Sequence, residues 1–304
     1  MKKNILISGG TGFVGRHLTK LLVANGFSVS ILSRTKKENT ETIFYYTWDV
    51  EKQTMEEEAV QKADYIIHLA GANIAGKPWT SKRKKEIVAS REQAAKLLYV
   101  TLVKMNKQIE AFVTASAVGI YGAMNGRAIC HEEMQPANDF LGLTCQKWEA
   151  AADTFEKVGI RTVKIRTGLV MGENDGFLKK LAPVFKFKLG AVLGSGKQYM
   201  PWIHIDDLCR IYIEAIQNPE MRGAYNAAVS DDTTNESFSR VLAKVYGYKL
   251  WLPNVPSFLI RLVLGEMSKL LLTGRRVSNA KIRTLGFEFR HTNLEATLKD
   301  CLAV

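Results

Sequence analysis

The chain has little cysteine and no long uninterrupted apolar run. Its four cysteines are scattered along 304 residues, and no two of them stand in a C-x-x-C spacing. This scarcity excludes a disulfide framework and fits a reduced, cytoplasmic compartment. The stretch 259–272 is rich in leucine, but Arg261, Glu266 and Lys269 interrupt it, so we expect a helix buried on one side and no membrane partner. We expect no signal peptide, because the residues after the first two lysines are needed for a strand.

Acidic residues are fewer than basic ones: 30 Asp and Glu stand against 42 Lys and Arg, which gives a formal net charge of +12. The densest basic run, 82–85, is short and contains no aromatic residue. No helix-turn-helix, zinc-finger or RNA-binding signature accompanies it. We interpret the run as a solvated helix face and expect no nucleic-acid partner. A basic field would also steer an anionic cofactor or substrate.

Four glycines stand close together near the start of the chain, at positions 9, 10, 12 and 15. Residues 4–8 form an apolar run long enough for a buried strand, and a helical pattern of leucines begins at position 18. Strand, glycine turn and helix in this order predict a dinucleotide-binding turn, in which backbone and helix N–H groups approach a pyrophosphate. The candidate cofactor-binding residues of this turn are Gly9, Thr11, Gly12, Phe13, Val14 and Gly15.

The second predicted strand, 28–32, indicates which dinucleotide would bind. An NAD site usually places Asp or Glu at the end of this strand, where it binds the ribose 2′-hydroxyl. Here Ser33 and Arg34 occupy that place. A carboxylate would repel a 2′-phosphate, whereas a guanidinium binds one with paired N–H donors. The sequence therefore predicts NADP(H) rather than NAD(H).

Strands and helices alternate through the first 172 residues. This alternation predicts an α/β fold with a doubly wound parallel sheet of the Rossmann type, and it places the ligand at the carboxyl ends of the strands. The predicted strands after the second are 43–48, 63–71, 111–116 and 162–167, and the predicted helices are 82–105 and 144–158.

After Gly172 the pattern changes. A short strand at 203–205 and a helix from Asp206 precede a strand at 224–229, which we expect to return to the main sheet. We predict an NADP-binding domain over 1–172 that is completed by about 200–230. A smaller C-terminal α/β lobe that defines the substrate pocket is predicted to consist of 173–199 and 231–304.

Several motifs resemble those of the extended short-chain dehydrogenase/reductase superfamily. Besides the glycine turn, they are His68-Leu69-Ala70-Gly71, Ile120-Tyr121-Gly122, Arg166-Thr167-Gly168 and Ile203-His204-Ile205-Asp206-Asp207. Within it, the chain is similar to the NAD-dependent epimerase/dehydratase-like branch of uncharacterised epimerase-family proteins with a C-terminal domain of unknown function. The motifs for this branch include 194–198, 201–208, 225–227, 234–236 and 286–289. The resemblance spans nearly the whole chain and implies NADP(H) binding.

The chain departs from the Tyr-x-x-x-Lys pair that active members of the superfamily use. Counting from Glu149 places Leu141 and Cys145 at the two positions, and shifting by two places Leu143 and Lys147 there. Neither leucine can carry out acid–base chemistry. The resemblance therefore does not imply sugar-nucleotide epimerisation.

Two further family positions are also changed. Ala117 occupies the usual place of the catalytic Ser or Thr, and Met200 stands where nucleotide-sugar enzymes often hold a diphosphate with a basic residue. The remaining candidates for a proton donor are Ser116 and Tyr121. The candidates for the substrate pocket are Gln198, Trp202 and His204, although a core role for Trp202 and a structural role for His204 are the alternatives.

Other cofactor contacts are expected at strand ends and on the helix over 82–105. Arg91 is our choice for a phosphate or ribose contact. Asp49 would accept from the adenine amino group, or would only form a turn. The remaining candidates are Leu69, Ala70, Gly71, Glu86 and Leu169.

Two classes of function stay open. One is an oxidoreductase that acts on a small, mostly apolar carbonyl compound of unknown identity, with the cofactor supplying the chemistry. The other is a non-catalytic NADP(H)-binding regulatory or interaction protein. The missing tyrosine and lysine favour the second, and the predicted pocket lobe favours the first. The sequence shows no metal-ligand cluster and does not indicate an oligomeric partner.

Overall fold

The computed structural model describes residues 2–173 and 175–303. The strands predicted in the first half form within a few residues of their expected ends. The elements of this half are β1 (Asn4–Ser8), α1 (Phe13–Ala24), β2 (Ser28–Ser33), β3 (Ile43–Asp49), β4 (Thr54–Met55), α2 (Glu58–Gln61), β5 (Tyr65–His68), α3 (Ser81–Lys104), β6 (Ala111–Ala117), β7 (Asn125–Cys130), α4 (Phe140–Glu156) and β8 (Arg161–Thr167).

The second half begins with short strands and ends in short helices. Its elements are β9 (Leu169–Met171), α5 (Leu178–Lys186), β10 (Trp202–His204), α6 (Ile205–Gln217), β11 (Gly223–Ala227), α7 (Asn235–Val245), α8 (Ser257–Leu264), α9 (Lys269–Leu272), β12 (Gly274–Val277), α10 (Ala280–Arg283) and α11 (Leu294–Leu302). Single 3-10 turns follow β6 and α8, at Val118–Tyr121 and Gly265–Ser268.

The main sheet of the described chain has the strand order β11-β8-β6-β5-β1-β2-β3-β4. All its pairs are parallel except β3 with β4. The chain runs outward in one direction from β1 through β2 and β3, and then returns to the other side of β1 with β5. In open α/β sheets ligands bind at such a reversal of strand order, at the carboxyl ends of the strands. The doubly wound Rossmann sheet is confirmed.

Helices cover both faces of the sheet. Because side chains alternate along a strand, Ile5 and Ile7 of β1 lie in one core cluster with α1 and α6, while Leu6 lies in the other. That second cluster contains Leu98 of α3 and Phe155 of α4. The continuous apolar runs of the parallel strands thus follow from burial on both faces.

A third core cluster lies beyond the main sheet. It brings together Phe185 of α5, Trp202 of β10, Phe238 of α7 and Leu298 of α11. The fully buried carboxylate of Asp207 joins this region to α6, because it accepts hydrogen bonds from the backbone N–H groups of residues 290 and 291 at 2.9–3.0 Å. The cluster supports a smaller C-terminal lobe, and its boundaries stay a prediction.

Several elements differ from the sequence-based expectation. The helix α4 begins four residues earlier than predicted, because Asp139 caps it by accepting from Gly142 N at 2.9 Å. The stretch 259–272 is not one helix, since Gly265 with φ +55° ends α8. The two-stranded pair β7–β12 was not predicted. No helix within the described ranges has both the length and the apolar character needed to cross a membrane.

Candidate cofactor and active site

Three of the glycines after β1 are required by the packing of the protein itself. Gly9 has φ +78°, and a methyl group there would lie 2.8 Å from the backbone nitrogen of Ala70. A methyl group at Gly15 would lie 2.4 Å from the carbonyl oxygen of Gly9, and one at Gly10 would lie 2.9 Å from the side chain of Ile31. These glycines let the turn and α1 press against β1, β2 and the end of β5.

Gly12 is different. A methyl group there would lie 3.3 Å from the Gly9 carbonyl oxygen, a tight contact, and within 4 Å of no other described atom outside the adjacent residues; φ at this residue is an ordinary −77°. Apart from this one tight contact, the described residues leave the space in front of Gly12 empty. Bare backbone facing open space at the start of a helix is what the close approach of a pyrophosphate requires. The residues of the turn fit a dinucleotide.

The N-terminus of α1 is open to an anion. No side chain from the described residues caps it, and no acidic residue occurs in its first turn. Phe13, at the start of the helix, packs closely against Gly172, where a methyl group would lie 2.7 Å from the Phe13 ring. Arg16 donates to the Thr11 carbonyl at 2.9 Å and pairs with Asp175 at 2.8 Å. Val14 lies in the same first turn, partly buried against the core.

The end of β2 presents a free cation. The Ser33 side chain is buried and accepts from Thr35 N at 3.3 Å, whereas Arg34 is exposed. Arg34 makes no hydrogen bond or ion pair with any residue that the structure describes. Asp49, at the end of β3, uses Oδ1 to accept from the backbone nitrogens of residues 51 and 52, both at 3.0 Å. Asp49 therefore stabilises the turn after β3, and its contact with the adenine amino group stays a prediction.

The end of β5 comes against the glycine turn and against α3. Leu69 N donates to the Ser8 carbonyl at 2.9 Å, which sets Leu69 and Ala70 beside Gly9. A methyl group at Gly71 would lie 3.0 Å from Cζ of Arg91. The predicted contacts of β1, β5 and α3 therefore share one region of the molecule.

Arg91 is a buried cation. Its Nη1 donates to the carbonyls of Ile87 at 2.8 Å and Ala72 at 3.2 Å, and its guanidinium stacks on Trp148 at 4.6 Å from the ring centroid. Burial lowers the pKa of Arg91 to about 10, so it stays charged at neutral pH. Its Nε has no partner among the described residues. Glu86 is more exposed and pairs with Arg83 at 2.7 Å, away from this contact.

Ser116 belongs to a buried polar network. Its hydroxyl donates to Oε1 of Glu149 at 2.6 Å. Arg166 holds the same carboxylate with two hydrogen bonds of 2.9 Å, from Nε and Nη2. Both members of this ion pair are buried. The hydrogen of Ser116 is therefore already directed to a protein acceptor.

Tyr121 lies at the other end of this network. Its hydroxyl donates to Oδ1 of Asn226 at 2.7 Å and accepts from Arg166 at 3.2 Å. Burial raises the pKa of Tyr121 to about 12, although Arg166 opposes this shift. Such a hydroxyl stays protonated and is held in place by two partners. Neither candidate proton donor has a free hydroxyl hydrogen in this conformation.

The two positions of the missing pair lie side by side. A methyl group at Gly119 would lie 3.6 Å from Cβ of Leu141 and 3.8 Å from Sγ of Cys145. Burial raises the pKa of Cys145 to about 12, and Glu149 adds to the shift, so the side chain is a thiol and not a thiolate. Neither group supplies the charge of a lysine or the acidity of a tyrosine.

The three pocket candidates are all buried. Trp202 has no exposed surface and donates to Asp231 at 2.9 Å, so it packs in the core instead of lining an open cleft. The Nε2 of Gln198 donates to the carbonyls of Leu193 and Leu271, while its buried Oε1 has no described partner. Leu169 starts β9 by donating to the Pro201 carbonyl at 2.7 Å.

His204 caps α6, since its Nδ1 accepts from Asp206 N at 3.2 Å. It stacks on His291 with ring centroids 3.7 Å apart, and its Nε2 lies 3.5 Å from Asp300. These three residues offer the donor types of a metal site. However, an accepting Nδ1 leaves the proton of a neutral ring on Nε2, and burial lowers the pKa of His204. This geometry describes a helix cap and a contact between elements.

Two family models match the chain. Residues 5–228 match the NAD dependent epimerase/dehydratase family, and residues 255–301 match a domain of unknown function, DUF1731. The chain belongs to the NAD-dependent epimerase/dehydratase family. The epimerase family protein YfhF of Bacillus subtilis is 34% identical over 300 residues, which cover 99% of this chain and 98% of that protein. The expected family is thereby confirmed.

Solved structures are similar over the whole length. Human epimerase family protein SDR39U1 with NADPH is 29% identical and superposes with a TM-score of 0.87, covering 99% of each chain. UDP-glucose 4-epimerase from Thermotoga maritima with UDP-glucose is 19% identical with a TM-score of 0.79, covering 98% of each, and so shares the fold. The chain thus shares the fold of these proteins over almost its whole length.

Two side-chain contacts near the site were not predicted from the sequence. The Glu149–Arg166 ion pair joins α4 to β8. The sequence places each residue in a motif but does not indicate that the two are paired. The stacking of Arg91 on Trp148 joins two helices and left no local pattern. Contacts between distant segments have no periodic signature that a single sequence displays.

Proposed function

We propose that the chain binds NADP(H) at the carboxyl ends of β1, β2 and β5 and acts as an oxidoreductase on a small carbonyl compound. The observation that carries the cofactor assignment is the space in front of Gly12, where a methyl group would meet a single described atom, the Gly9 carbonyl oxygen at 3.3 Å. The exposed Arg34, which has no partner among the described residues, supports NADP(H) over NAD(H), because a guanidinium can bind a 2′-phosphate. The NADPH in the human relative agrees with this choice.

Arg91 supplies the cation that the missing lysine would have given to the site. It lies against the backbone of Gly71 at the end of β5, and its buried Nε has no partner among the described residues. A charged guanidinium here would hold a cofactor ribose or phosphate oxygen. The variant Arg91→Gln should therefore weaken NADPH binding, and Arg91→Lys should restore part of the loss.

Bound NADPH would supply the hydride, and the chain would bind it, orient it and exclude water. Of the two candidate acids, Ser116 is the freer to turn, because its hydroxyl needs only a rotation away from Glu149 to reach another acceptor, although a serine hydroxyl is a weaker acid than a tyrosine. Tyr121 is held from two sides and is less acidic than an ordinary tyrosine.

A second candidate function is non-catalytic NADP(H) binding by a regulatory or interaction protein. The observation that favours it is that the hydroxyl hydrogens of both Ser116 and Tyr121 are already bound by buried acceptors. Such a protein would respond to the cofactor without consuming it.

Oxidation of NADPH in the presence of a panel of small ketones, aldehydes and activated alkenes separates the two functions. We expect turnover with at least one acceptor, lost in Ser116→Ala and kept in Tyr121→Phe. Saturable NADPH binding with no oxidation across the panel would select the non-catalytic function instead. Absence of NADPH binding would contradict both.

A further inference from the structure

The helix α8 exposes an apolar face. Of its eight residues, only Ile260 is buried, while Phe258, Leu262 and Val263 are 65%, 80% and 79% exposed. At 100° per residue these three side chains and Leu259 occupy one continuous arc of about 140°, which does not include Ile260. A helix that is apolar on nearly every side normally lies inside a protein or against lipid. Here it lies at the surface.

The neighbouring chain extends this surface. Trp251, which is 67% exposed, donates from Nε1 to the carbonyl of Lys188 at 2.9 Å, next to the exposed Phe187 and Leu189. Residues 192–194 pair with Val255, directly before α8. We call this surface the apolar patch, and it consists of Phe187, Leu189, Trp251, Phe258, Leu262 and Val263.

Basic residues lie beside the apolar patch, and the acidic residues that border its segments, Glu236 and Glu266, are paired with Arg240 and Lys84. Residues 176–205 contain five lysines and no Asp or Glu, and residues 237–265 contain four basic residues and no acid. Lys186, Lys188, Lys249 and Arg261 are exposed beside the patch residues. The surface is therefore both apolar and strongly positive.

We propose that the apolar patch docks the protein onto the surface of an anionic lipid bilayer. Aromatic and aliphatic side chains ringed by lysine and arginine match the boundary between acyl chains and anionic headgroups. A second copy of the chain fits less well, because a two-fold contact through this patch would bring the same cations face to face. The protein would lie on the bilayer and not span it, in keeping with the helix lengths.

This inference departs from the sequence-based expectation of no membrane partner. That expectation rested on a leucine-rich helix buried on one side, and the structure instead leaves the larger part of α8 uncovered. The inference does not depend on the proposed catalysis. Failure of vesicle binding would leave the cofactor assignment untouched, since the two are measured separately.

The test is co-sedimentation of the full chain with vesicles of equimolar phosphatidylcholine and phosphatidylglycerol, beside vesicles of phosphatidylcholine alone. We expect the protein to sediment with the anionic vesicles. Raising the salt from about 0.1 M to about 1 M shortens the Debye length from about 10 Å to about 3 Å and should release much of it. The double variant L262D/V263D should lower the partition coefficient by about tenfold or more.

The matched control is V100D/V103D. It adds the same two charges at exposed valines near the other end of α3, about 24 Å along that helix from Lys84, which pairs with Glu266 beside α8. This control should sediment like the parent protein. Equal losses in both variants, no binding by the parent, or a dimer in light scattering that L262D/V263D abolishes without any vesicle binding would each overturn the proposal.

Discussion

At the scale of single residues, the choice of cofactor depends on Arg34. Its guanidinium is exposed and unpaired within the described chain, at the end of β2 where an NAD site would carry an acid. The variant Arg34→Ala should weaken NADPH binding by roughly 1.5–3 kcal/mol, the range for a hydrogen bond to a charged group, and should leave NADH binding nearly unchanged. Fluorescence titration with each cofactor measures both effects. Equal affinity of the parent protein for the two cofactors would contradict the assignment.

The burial of His68 predicts that the stability of the protein depends on pH. It is fully buried, shares a 2.6 Å hydrogen bond with Ser8, and burial lowers its pKa from 6.5 to about 4. As pH falls below 6.5 the unfolded chain takes up this proton first, so stability is lost between pH 6.5 and about 4. From pH 6.5 to 5 the loss from this group is about 2 kcal/mol.

Urea unfolding at the two pH values, in the parent and in His68→Gln, isolates that contribution. The variant is expected to be less stable at neutral pH, but to lose less stability on acidification. An equal loss in both proteins would show that other groups cause the acid sensitivity.

The residues of the cofactor turn could be predicted from the sequence because their roles are local. Gly15 is fixed by its contact with Gly9, six positions earlier, and Gly9 has the positive φ that the turn itself requires. The states of Ser116 and Tyr121 could not be predicted. Their partners Glu149 and Asn226 lie 33 and 105 positions away, and only the fold brings them together.

At the scale of secondary-structure elements, Gly12 and Gly15 of the same turn should respond differently to substitution. In Gly15→Val the added side chain collides with backbone at 2.4 Å, and we expect a loss of stability of about 3 kcal/mol or more. In Gly12→Val the nearest atom is 3.3 Å from the new Cβ, and the loss should be about 1 kcal/mol. Thermal unfolding followed by circular dichroism compares them, and equal losses would contradict the geometry.

The periodic pattern of apolar residues could identify the strands that are buried on both faces and the helices that bury a broad apolar face. The parallel strands of the main sheet and the long helix α3 were predicted closely. The strands β7 and β12 were missed because they pair at the surface across about 150 positions and carry few apolar residues. The break between α8 and α9 follows from one glycine in the left-handed region, which the leucine pattern concealed.

At the scale of the whole molecule, the fold of an epimerase is present without the acid–base pair of one. We expect no 4-epimerase or dehydratase turnover with UDP- or dTDP-sugars, because oxidation of a sugar hydroxyl needs a base about 3 Å from it. Leu141 and Cys145 cannot serve, and Met200 offers no charge to a diphosphate. Incubation with the nucleotide sugars and NADP⁺ or NAD⁺, followed by product chromatography, measures this. Robust turnover would mean that another residue supplies the base.

The central claim is that the open space at Gly12 is a binding site for NADPH. Titration of the parent protein and of folded Gly12→Val with NADPH, followed by cofactor fluorescence, tests it most directly. The account predicts saturable binding by the parent and none by the variant, whose added side chain fills the space meant for the pyrophosphate. Equal affinity in the two proteins, or no binding by the parent, would contradict it.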